Sequence, residues 1–363
     1  MKVAIYTYSV QSGAFSSYFS SLTLSLERHV DSIDILCTGK VDEDPVNRFS
    51  KNSHIYGLGK DRSLKAIFPI IKYLRKESPE ILITGPTYIN IISIIISLLS
   101  GWNGKLVITH HHPIALSHKD NFKNNKYLAR ILYRFSDFSF ATTPYVMEEA
   151  IKETYIDRSA IFILPPAVSA PSLIDPLKKD ETNSYGKYFV CMARLDPVKN
   201  HKLLISAFSS TCSLHDFNLV IVGRGGLKDE LIQQVYEEKL QDRVKFTGFV
   251  DNPENIIRSS QALILSSNEE GFGQVIVEAM SLSIPVIATD ASGGGPRYIL
   301  DNGKYGLLVA MKDQKALSRA IMFFADDVNR DYYVKKSKIR SLDFTYQKNS
   351  DMLGDILHKI VGG

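Results

Sequence analysis

Residues 266–280 read SSNEEGFGQVIVEAM, a stretch with an acidic residue on either side of a glycine-flanked turn. Glu270 precedes the turn Gly271-Phe272-Gly273, and Glu278 lies eight residues further on, in an apolar run with helical spacing. A strand-like run, residues 262–265, comes first. The order strand, glycine turn, helix directs backbone N–H groups and the positive end of a helix dipole at whatever binds above the turn. The stretch therefore predicts an anion-binding site in a fold that alternates strands and helices.

Length and composition are those of an ordinary globular protein with two domains. The chain has 363 residues, of which 44% are hydrophobic and 23% charged. A net charge of +4 is too small to indicate nucleic-acid binding. Three widely spaced cysteines, Cys37, Cys191 and Cys212, predict neither a disulfide framework nor a zinc site. The chain opens on a strand-like run instead of a signal peptide, so a cytoplasmic location is expected.

Strand-like and helix-like segments alternate in both halves of the chain. The strand-like segments include residues 3–8, 32–37, 81–84, 106–109, 188–193, 218–223, 244–246, 262–265 and 285–288. This rhythm predicts an α/β protein with two doubly wound, Rossmann-like domains facing across a cleft. We expect an N-terminal domain at residues 1–168, a linker at 169–186 and a C-terminal domain at 187–342. The last helix, about 343–363, has one apolar face and is expected to pack back near the first domain.

Four motifs of the second half occur in one order and together carry a family resemblance. They are ARLDPVKN at 193–200, VGRGGL at 222–227, EGFGQVIVEAM at 270–280, and PVIATD at 285–290 followed by GGGPRYILDNGKYGLL at 293–308. With these motifs the chain resembles the retaining GT-B glycosyltransferases of family four. The resemblance implies that the second domain binds a nucleotide-sugar donor and that the first binds the acceptor.

The resemblance also assigns roles to four charged residues. Arg194 and Lys199 would stabilise the charge that develops on the leaving diphosphate, since a guanidinium offers a bidentate fork and an ammonium a point charge. Glu270 would lie beside the donor sugar. Glu278 would accept hydrogen bonds from the ribose hydroxyls, as an ionised carboxylate can. The alternative for Arg194 and Lys199 is a solvated surface pair, and the alternative for Glu278 is an exposed charge on a helix.

Glycines and backbone groups complete the predicted donor site. The N–H groups of Phe272 and Gly273, next to Gly271, would hold phosphate or sugar oxygens. Gly223, in the second motif, is expected at the donor as well. The pair Ser12-Gly13 stands where the family usually has two glycines that let the first helix approach the phosphates and the acceptor.

Three consecutive histidines, residues 110–112, end a strand-like run. In the family a histidine at such a strand end reaches the sugar or the acceptor, and the spacing from the strand favours His111. The triplet does not predict a metal site, because adjacent residues of an extended chain point in opposite directions. The motif Asp42-Glu43-Asp44 is expected in a surface loop. We therefore predict no metal and no cofactor besides the donor, with Arg194 and Lys199 in the place of the metal ion.

A basic amphipathic segment, residues 118–134, belongs to the predicted acceptor domain. Its cations alternate with large apolar residues. Either it is an ordinary surface helix with one face in the core, or it docks on an anionic membrane, where a lipid-linked acceptor would be found. The longest apolar run, residues 89–99, is about half as long as a membrane-spanning helix and is expected to be a buried helix.

The predicted activity is transfer of a hexose or N-acetylhexosamine from a nucleoside diphosphate sugar, with UDP as the expected nucleotide, to a hydroxyl of a glycan or lipid-linked acceptor. The resemblance implies retention of the anomeric configuration, and residues 294–300 resemble those of members that build bacterial surface polysaccharides. Such an enzyme would work at the inner face of the plasma membrane. Two alternatives stay open: a nucleotide-sugar 2-epimerase with the same architecture, and a non-catalytic nucleotide-sugar-binding subunit.

Overall fold

The computed structural model describes residues 1–11, 14–41, 48–114, 125–168, 183–250 and 253–362. The chain divides into two compact units, one formed by residues 1–167 with 344–363 and the other by residues 168–343. Several sequence expectations concern residues outside the described ranges. They are the expectations for Gly13, for the Asp42-Glu43-Asp44 motif, for residues 169–182 of the linker and for residues 118–124 of the basic segment.

Seven strands of the first unit form one parallel sheet. They are β1 (Lys2–Thr7), β2 (Ser32–Cys37), β3 (Ser53–Gly57), β4 (Ile81–Thr84), β5 (Lys105–His110), β6 (Phe138–Ala141) and β7 (Ile161–Ile163). Their order in the sheet is β3-β2-β1-β4-β5-β6-β7. The chain therefore winds outward in one direction from β1 and in the other from β4. Ligands of such sheets bind at the carboxyl ends of the strands where the winding reverses.

Helices cover both faces of this sheet. The first five are α1 (Ala14–Leu26), α2 (Ile67–Glu77), α3 (Thr87–Ser100), α4 (Asn125–Leu132) and α5 (Pro144–Thr154). Buried residues of α2 to α5 form the core on one face, and buried residues of α1 contribute to the core on the other. None of the helices in the described parts of the chain combines the length and the apolar character needed to cross a membrane.

Helix α3 contains the longest apolar run, and the expectation that this run is buried is wrong for part of it. Ile94 and Ile96 are fully buried, but Leu98 and Leu99 are 60% and 61% exposed. The run is apolar on all sides, whereas a helix lying on a sheet buries only one side. The other side of α3 therefore faces outward with aliphatic side chains.

The second unit repeats the architecture with six strands. They are β8 (Tyr188–Met192), β9 (Asn218–Val222), β10 (Val244–Gly248), β11 (Leu263–Leu265), β12 (Val286–Thr289) and β13 (Leu307–Val309), in the order β10-β9-β8-β11-β12-β13. The helices are α6 (His201–Ser209), α7 (Lys228–Glu237), α8 (Glu254–Arg258), α9 (Gln274–Ser281), α10 (Gly295–Ile299), α11 (Gln314–Ala325) and α12 (Asp327–Ser341). The winding reverses between β8 and β11, so the loops after these two strands border the expected ligand site.

Helix α13 (Tyr346–Gly362) follows the second unit in the chain but belongs to the first. Leu353, Ile356 and Ile360 repeat at helical spacing and lie in the same apolar core as α1. The side-chain amide of Asn349 also donates a hydrogen bond to the carbonyl oxygen of Pro165, at 2.6 Å. Residues from the two ends of the sequence thus build one core.

Candidate active site

The loops after β8 and β11 lie side by side in the second unit. The N–H of Asn268 donates a hydrogen bond to the carbonyl oxygen of Val198, at 2.7 Å, and the Ser266 hydroxyl donates to that of Lys199, at 2.9 Å. These bonds join the first family motif to the residues just before the third, at the point where the strand order reverses. This is the place at which parallel α/β sheets bind their ligands.

An ion pair between Lys199 and Glu270 lies between these loops. Lys199 Nζ is 2.5 Å from Glu270 Oε2, and the side chains are only 17% and 12% exposed. The Ser267 hydroxyl lies 3.4 Å from the same carboxylate oxygen. Charges withdrawn from water in this way interact more strongly than surface charges. The structure therefore contradicts the alternative of a solvated surface charge for Lys199, and its partner Glu270 is buried with it.

Asp196 fixes the conformation of the loop that carries Lys199. Its carboxylate accepts hydrogen bonds from the N–H groups of Val198 and Lys199, at 3.1 and 3.2 Å, as a helix N-cap does, and Pro197 begins the short helical turn. The second carboxylate oxygen lies 3.0 Å from Arg194 Nη2, and the Arg194 side chain is 79% exposed. Arg194 thus shares the loop with Lys199, but its guanidinium pairs with Asp196 at the surface.

The turn Gly271-Phe272-Gly273 ends in a left-handed residue that starts α9. Gly273 has a φ of +92°, a conformation that favours glycine, and no side chain caps the first turn of the helix. The positive end of the α9 dipole therefore lies at this turn, where it can stabilise an anion. The turn residues themselves are buried.

A second glycine-rich segment, residues 293–295, packs against this turn. The N–H of Glu270 donates to the carbonyl oxygen of Ser292, at 2.7 Å, and the N–H of Gly295 donates to that of Glu270, at 3.2 Å. A Cβ atom at Gly295 would lie 2.1 Å from the carbonyl oxygen of Phe272. The close approach of the two segments therefore requires glycine at this position.

Glu278 lies on α9, one turn beyond its start. Burial raises the pKa of Glu278 to about 7, against the opposing effect of a hydrogen bond with Gln274. Its neighbours on the helix are buried apolar residues: Ile276, Val277, Ala279 and Met280. A carboxyl group whose pKa is raised by desolvation is frequent at functional sites. Glu278 is therefore not a solvated surface charge either.

Gly223 lets the end of β9 pack closely on the loop after β8. Its φ is +148°, and a Cβ atom there would lie 2.0 Å from the carbonyl oxygen of Ala193. The neighbouring contact is a hydrogen bond from the N–H of Leu195 to the carbonyl oxygen of Arg224, at 3.0 Å. Gly223 therefore allows close packing against Ala193, at the start of the loop that carries Lys199.

His111 lies in the first unit, after β5. Its Nε2 is 2.8 Å from Thr109 Oγ1, whose own hydroxyl hydrogen is donated to the carbonyl oxygen of Thr84, at 2.8 Å. Nε2 must therefore carry the ring hydrogen and donate a hydrogen bond to Thr109, which leaves Nδ1 as the acceptor. The ring packs edge-to-face against Phe15 and Tyr18, at 4.9 and 4.3 Å between centroids, and burial holds the pKa of His111 well below its usual range. The imidazole is therefore neutral.

The structure brings Lys199 and Glu270 together beside the Gly271-Phe272-Gly273 turn, with Glu278 one turn along α9. Gly223 packs against Ala193, at the start of the loop that carries Lys199, and Arg194 stays at the surface. Sequence reasoning gave no role to Asp196 or Ser267. For Asp196 a signal was present, because Asp-Pro is typical of an N-cap followed by the first residue of a helical turn. The serine carried no comparable signal. Within the described ranges, no three His, Cys, Asp or Glu side chains are grouped so that they could hold a metal ion.

Residues 175–340 match the model of the family described as Glycosyl transferases group 1. A relative from Campylobacter jejuni subsp. jejuni, N-acetylgalactosamine-N,N'-diacetylbacillosaminyl-diphospho-undecaprenol 4-alpha-N-acetylgalactosaminyltransferase, is 26% identical over 94% of this chain and 95% of its own length. A relative from Escherichia coli, UDP-Gal:alpha-D-GlcNAc-diphosphoundecaprenol alpha-1,3-galactosyltransferase, is 23% identical over 86% of this chain and 84% of its own length.

The crystal structure of Anabaena Alr3699/HepE in complex with UDP-glucose has a similar fold. It superimposes with a TM-score of 0.82 and 18% identity over 99% of this chain and 100% of that one. The predicted fold class, two doubly wound α/β domains of the GT-B type, is confirmed by this likeness and by the two parallel sheets. Residues 175–340 are thus similar to the group 1 glycosyltransferases, and the chain as a whole has the GT-B fold.

Proposed function

We propose that this protein transfers a hexose or N-acetylhexosamine from a UDP-sugar to a hydroxyl of a glycan or lipid-linked acceptor, with retention, in the assembly of a bacterial surface polysaccharide. The observation that carries the proposal is the Lys199–Glu270 pair beside the start of α9, with Glu278 one turn along the helix. A cation, a helix N-terminus and two carboxylates on adjoining elements fit the diphosphate, the sugar and the ribose of one donor.

The proposed chemistry breaks the bond between the anomeric carbon and the diphosphate oxygen while the acceptor oxygen bonds to the same carbon. The acceptor proton passes to an oxygen of the leaving diphosphate. Lys199 and the dipole of α9 stabilise the charge that develops there. Arg194 would leave Asp196 for the diphosphate, which its exposed and long side chain permits. These positive groups would make a metal ion unnecessary.

The choice of nucleotide and acceptor follows the relatives. The Escherichia coli relative is named for UDP-Gal and a diphosphoundecaprenol acceptor, and the Campylobacter jejuni relative for a diphospho-undecaprenol substrate. Both names specify an alpha linkage. An alpha-linked nucleotide sugar gives an alpha-linked product only when the configuration is retained, which supports retention here.

His111 is proposed to orient a hydroxyl of the sugar or of the acceptor. The Thr109 contact uses the proton on Nε2, so Nδ1 can accept a hydrogen bond from such a hydroxyl. Because burial lowers its pKa, the ring stays neutral and keeps this acceptor in the ordinary pH range. Its role would be positioning, with no proton transfer to the ring.

The test offers a panel of UDP-sugars together with sugar-diphosphate-polyprenol acceptors, with and without a chelator. We expect acceptor-dependent UDP release, a product heavier by one sugar, an alpha linkage by NMR and no effect of the chelator. Conversion of the donor to its 2-epimer without a new glycosidic bond would favour the epimerase. Donor binding without turnover across the panel would favour the binding subunit, and a beta-linked product would contradict retention.

A further inference from the structure

The helical layer formed by α2 to α5 exposes a concentration of large apolar side chains. On α3 they are Ile95, Leu98 and Leu99, which follow the helical spacing i, i+3, i+4. On α4 and just after it they are Tyr127, Leu128, Ile131 and Phe135, with exposures between 44% and 68%. We call these seven residues the α3–α4 surface. Exposed apolar residues that cluster in this way indicate an interaction site.

The two helices that carry the α3–α4 surface pack against each other. Their inner sides share one core, which contains Ile94 of α3 and Ala129 of α4. The side-chain amide of Asn90, on α3, also lies 3.4 Å from the hydroxyl of Tyr133, in the turn after α4. The exposed residues are therefore held in place by packed partners beneath them.

Cations border this surface. Arg130 lies over the ring of Tyr155, 5.0 Å from its centroid, and Arg134 lies over Phe135 at the same distance. Arg75, on α2, donates through Nε to the carbonyl oxygen of Ser100, at 2.9 Å, at the end of α3. The three guanidinium groups are thus associated with the ends and edges of the apolar residues.

Neither α3 nor α4 contains an acidic residue. The other cation of α4, Lys126, pairs with Glu153 of α5, at 3.0 Å, and is thereby neutralised. Arg130 and Arg134 are instead associated with aromatic rings. The α3–α4 surface offers aliphatic and aromatic side chains, and the arginines at its border add positive charge. This combination suits an anionic lipid interface.

We propose that the α3–α4 surface docks the protein on an anionic lipid bilayer, with Leu98, Leu99, Leu128 and Ile131 among the acyl chains and the arginines among the headgroups. A second copy of the chain fits this surface less well. A two-fold interface would bring the arginines of one copy close to those of the other, with no acid on either helix to neutralise them. The consequence for catalysis, delivery of the site to a lipid-linked acceptor, rests on the proposed function.

Co-sedimentation with vesicles tests the docking without any substrate. The probes are vesicles of phosphatidylcholine alone and of phosphatidylcholine with phosphatidylglycerol in equal amounts. The wild-type chain should bind the mixed vesicles, bind the neutral ones far less, and lose binding as salt is added. No binding to either vesicle by the wild-type chain would overturn the proposal.

Two double variants separate the apolar and the charged contributions. Leu98→Gln with Ile131→Gln should lower binding to the mixed vesicles about thirtyfold or more. Arg130→Gln with Arg134→Gln should lower it about thirtyfold, at roughly fivefold for each cation near the lipid surface. Binding equal to wild type in both double variants would overturn the proposal.

Matched controls come from exposed residues of the second unit. Val328→Gln with Ile339→Gln replaces two apolar residues of α12 that are 80% and 61% exposed. Lys228→Gln with Lys245→Gln removes two exposed cations. Both controls should bind the mixed vesicles as the wild-type chain does. An equal loss in controls and test variants would show a general effect of charge or hydrophobicity and would overturn the assignment to this surface.

Two further measurements separate the possible outcomes. Sedimentation velocity without lipid reports a second copy: a wild-type dimer that the Leu98→Gln, Ile131→Gln variant abolishes, without vesicle binding, would assign the surface to self-association. Thermal unfolding and UDP-glucose binding check that each variant folds, and if the apolar double variant does not, the arginine variant decides. Vesicle binding without glycosyl transfer would contradict the proposed function alone. Transfer to a soluble acceptor without vesicle binding would contradict the docking alone.

Discussion

Lys199 Nζ and Glu270 Oε2 are 2.5 Å apart in a region where both side chains are almost withdrawn from water. The two residues come from loops after neighbouring strands, so the pair ties the phosphate end of the proposed donor site to its sugar end. A diphosphate near Lys199 would compete with Glu270 for the same ammonium group. Each residue is therefore expected to affect the ligand contacts of the other.

Lys199→Ala should lower kcat/KM for the nucleotide sugar by about a hundredfold or more, because a sequestered cation that stabilises the leaving diphosphate is lost. The matched control is Lys202→Ala, which breaks an ion pair with Glu230 of the same 2.5 Å length, but in a setting where both side chains are about half exposed. Steady-state kinetics of the two variants compare the same chemical change at two places. A kcat/KM near the wild-type value for Lys199→Ala would remove Lys199 from the reaction.

Donor affinity should rise with pH through neutrality because of Glu278. With a pKa of about 7, this carboxyl is mostly protonated in mild acid and mostly ionised in mild base. Only the ionised form accepts hydrogen bonds from both ribose hydroxyls. The Kd for UDP-glucose should therefore be about tenfold higher at pH ~6 than at pH ~8. Titration calorimetry across this range measures the slope.

The variant Glu278→Gln should bind UDP-glucose more weakly at alkaline pH and show no slope. Glu238→Gln replaces a partly buried glutamate just after α7 that accepts a hydrogen bond from Ser206, away from the proposed site. It should keep both the affinity and the slope. A flat wild-type profile, or an unchanged profile in Glu278→Gln, would contradict the ribose role.

Gly223→Ala should impair donor use, whereas Gly226→Ala, three residues further on, should not. The added Cβ at Gly223 would lie 2.0 Å from the carbonyl oxygen of Ala193 and must displace the loop that carries Lys199, whereas a Cβ at Gly226 meets no atom within 4 Å. We expect kcat/KM to fall at least about tenfold for the first variant, since small displacements of positioning groups reduce rates strongly. Equal kinetics of the two variants would contradict this account of the loop.

His111→Ala should lower the rate of transfer to the acceptor while leaving UDP affinity unchanged. The adjacent His112→Ala serves as a control, because the His112 side chain is exposed. Thr109→Val should resemble His111→Ala in part, since it removes the hydroxyl oxygen that accepts the hydrogen bond from Nε2–H and fixes the tautomer. Lost UDP affinity in His111→Ala, with transfer otherwise intact, would exclude the positioning role.

Much of the candidate site follows from the sequence because its residues stand in motifs. The spacing from Glu270 to Glu278 predicts a loop acid and a helix acid, and the structure has them so. The ion-pair partners of Lys199 and Arg194 could not be predicted from the motifs. That Lys199 meets Glu270 while Arg194 meets Asp196 depends on how two loops far apart in the chain approach each other.

The fold was predictable where segments are apolar and bounded by turns. Strands β2 and β4 have the predicted bounds, since each is a short buried run. Strand β3 has a partly exposed edge sequence, SHIYG, and gives no such signal. Helix α12 is polar along most of its length, with Ser337 and Ser341 as its buried residues, and shows no apolar stripe. Periodicity finds only elements that bury one face.

Helix α13 has a consequence for the order in which the protein can fold as it is synthesised. Leu353, Ile356, Leu357 and Ile360 complete a core whose other residues come from the first part of the chain. The ribosome makes the entire second unit before it makes this helix. The second unit can therefore finish folding first, while the part of the earlier core that α13 covers is still exposed. During that interval, binding of a chaperone to this exposed part would protect the nascent chain from aggregation.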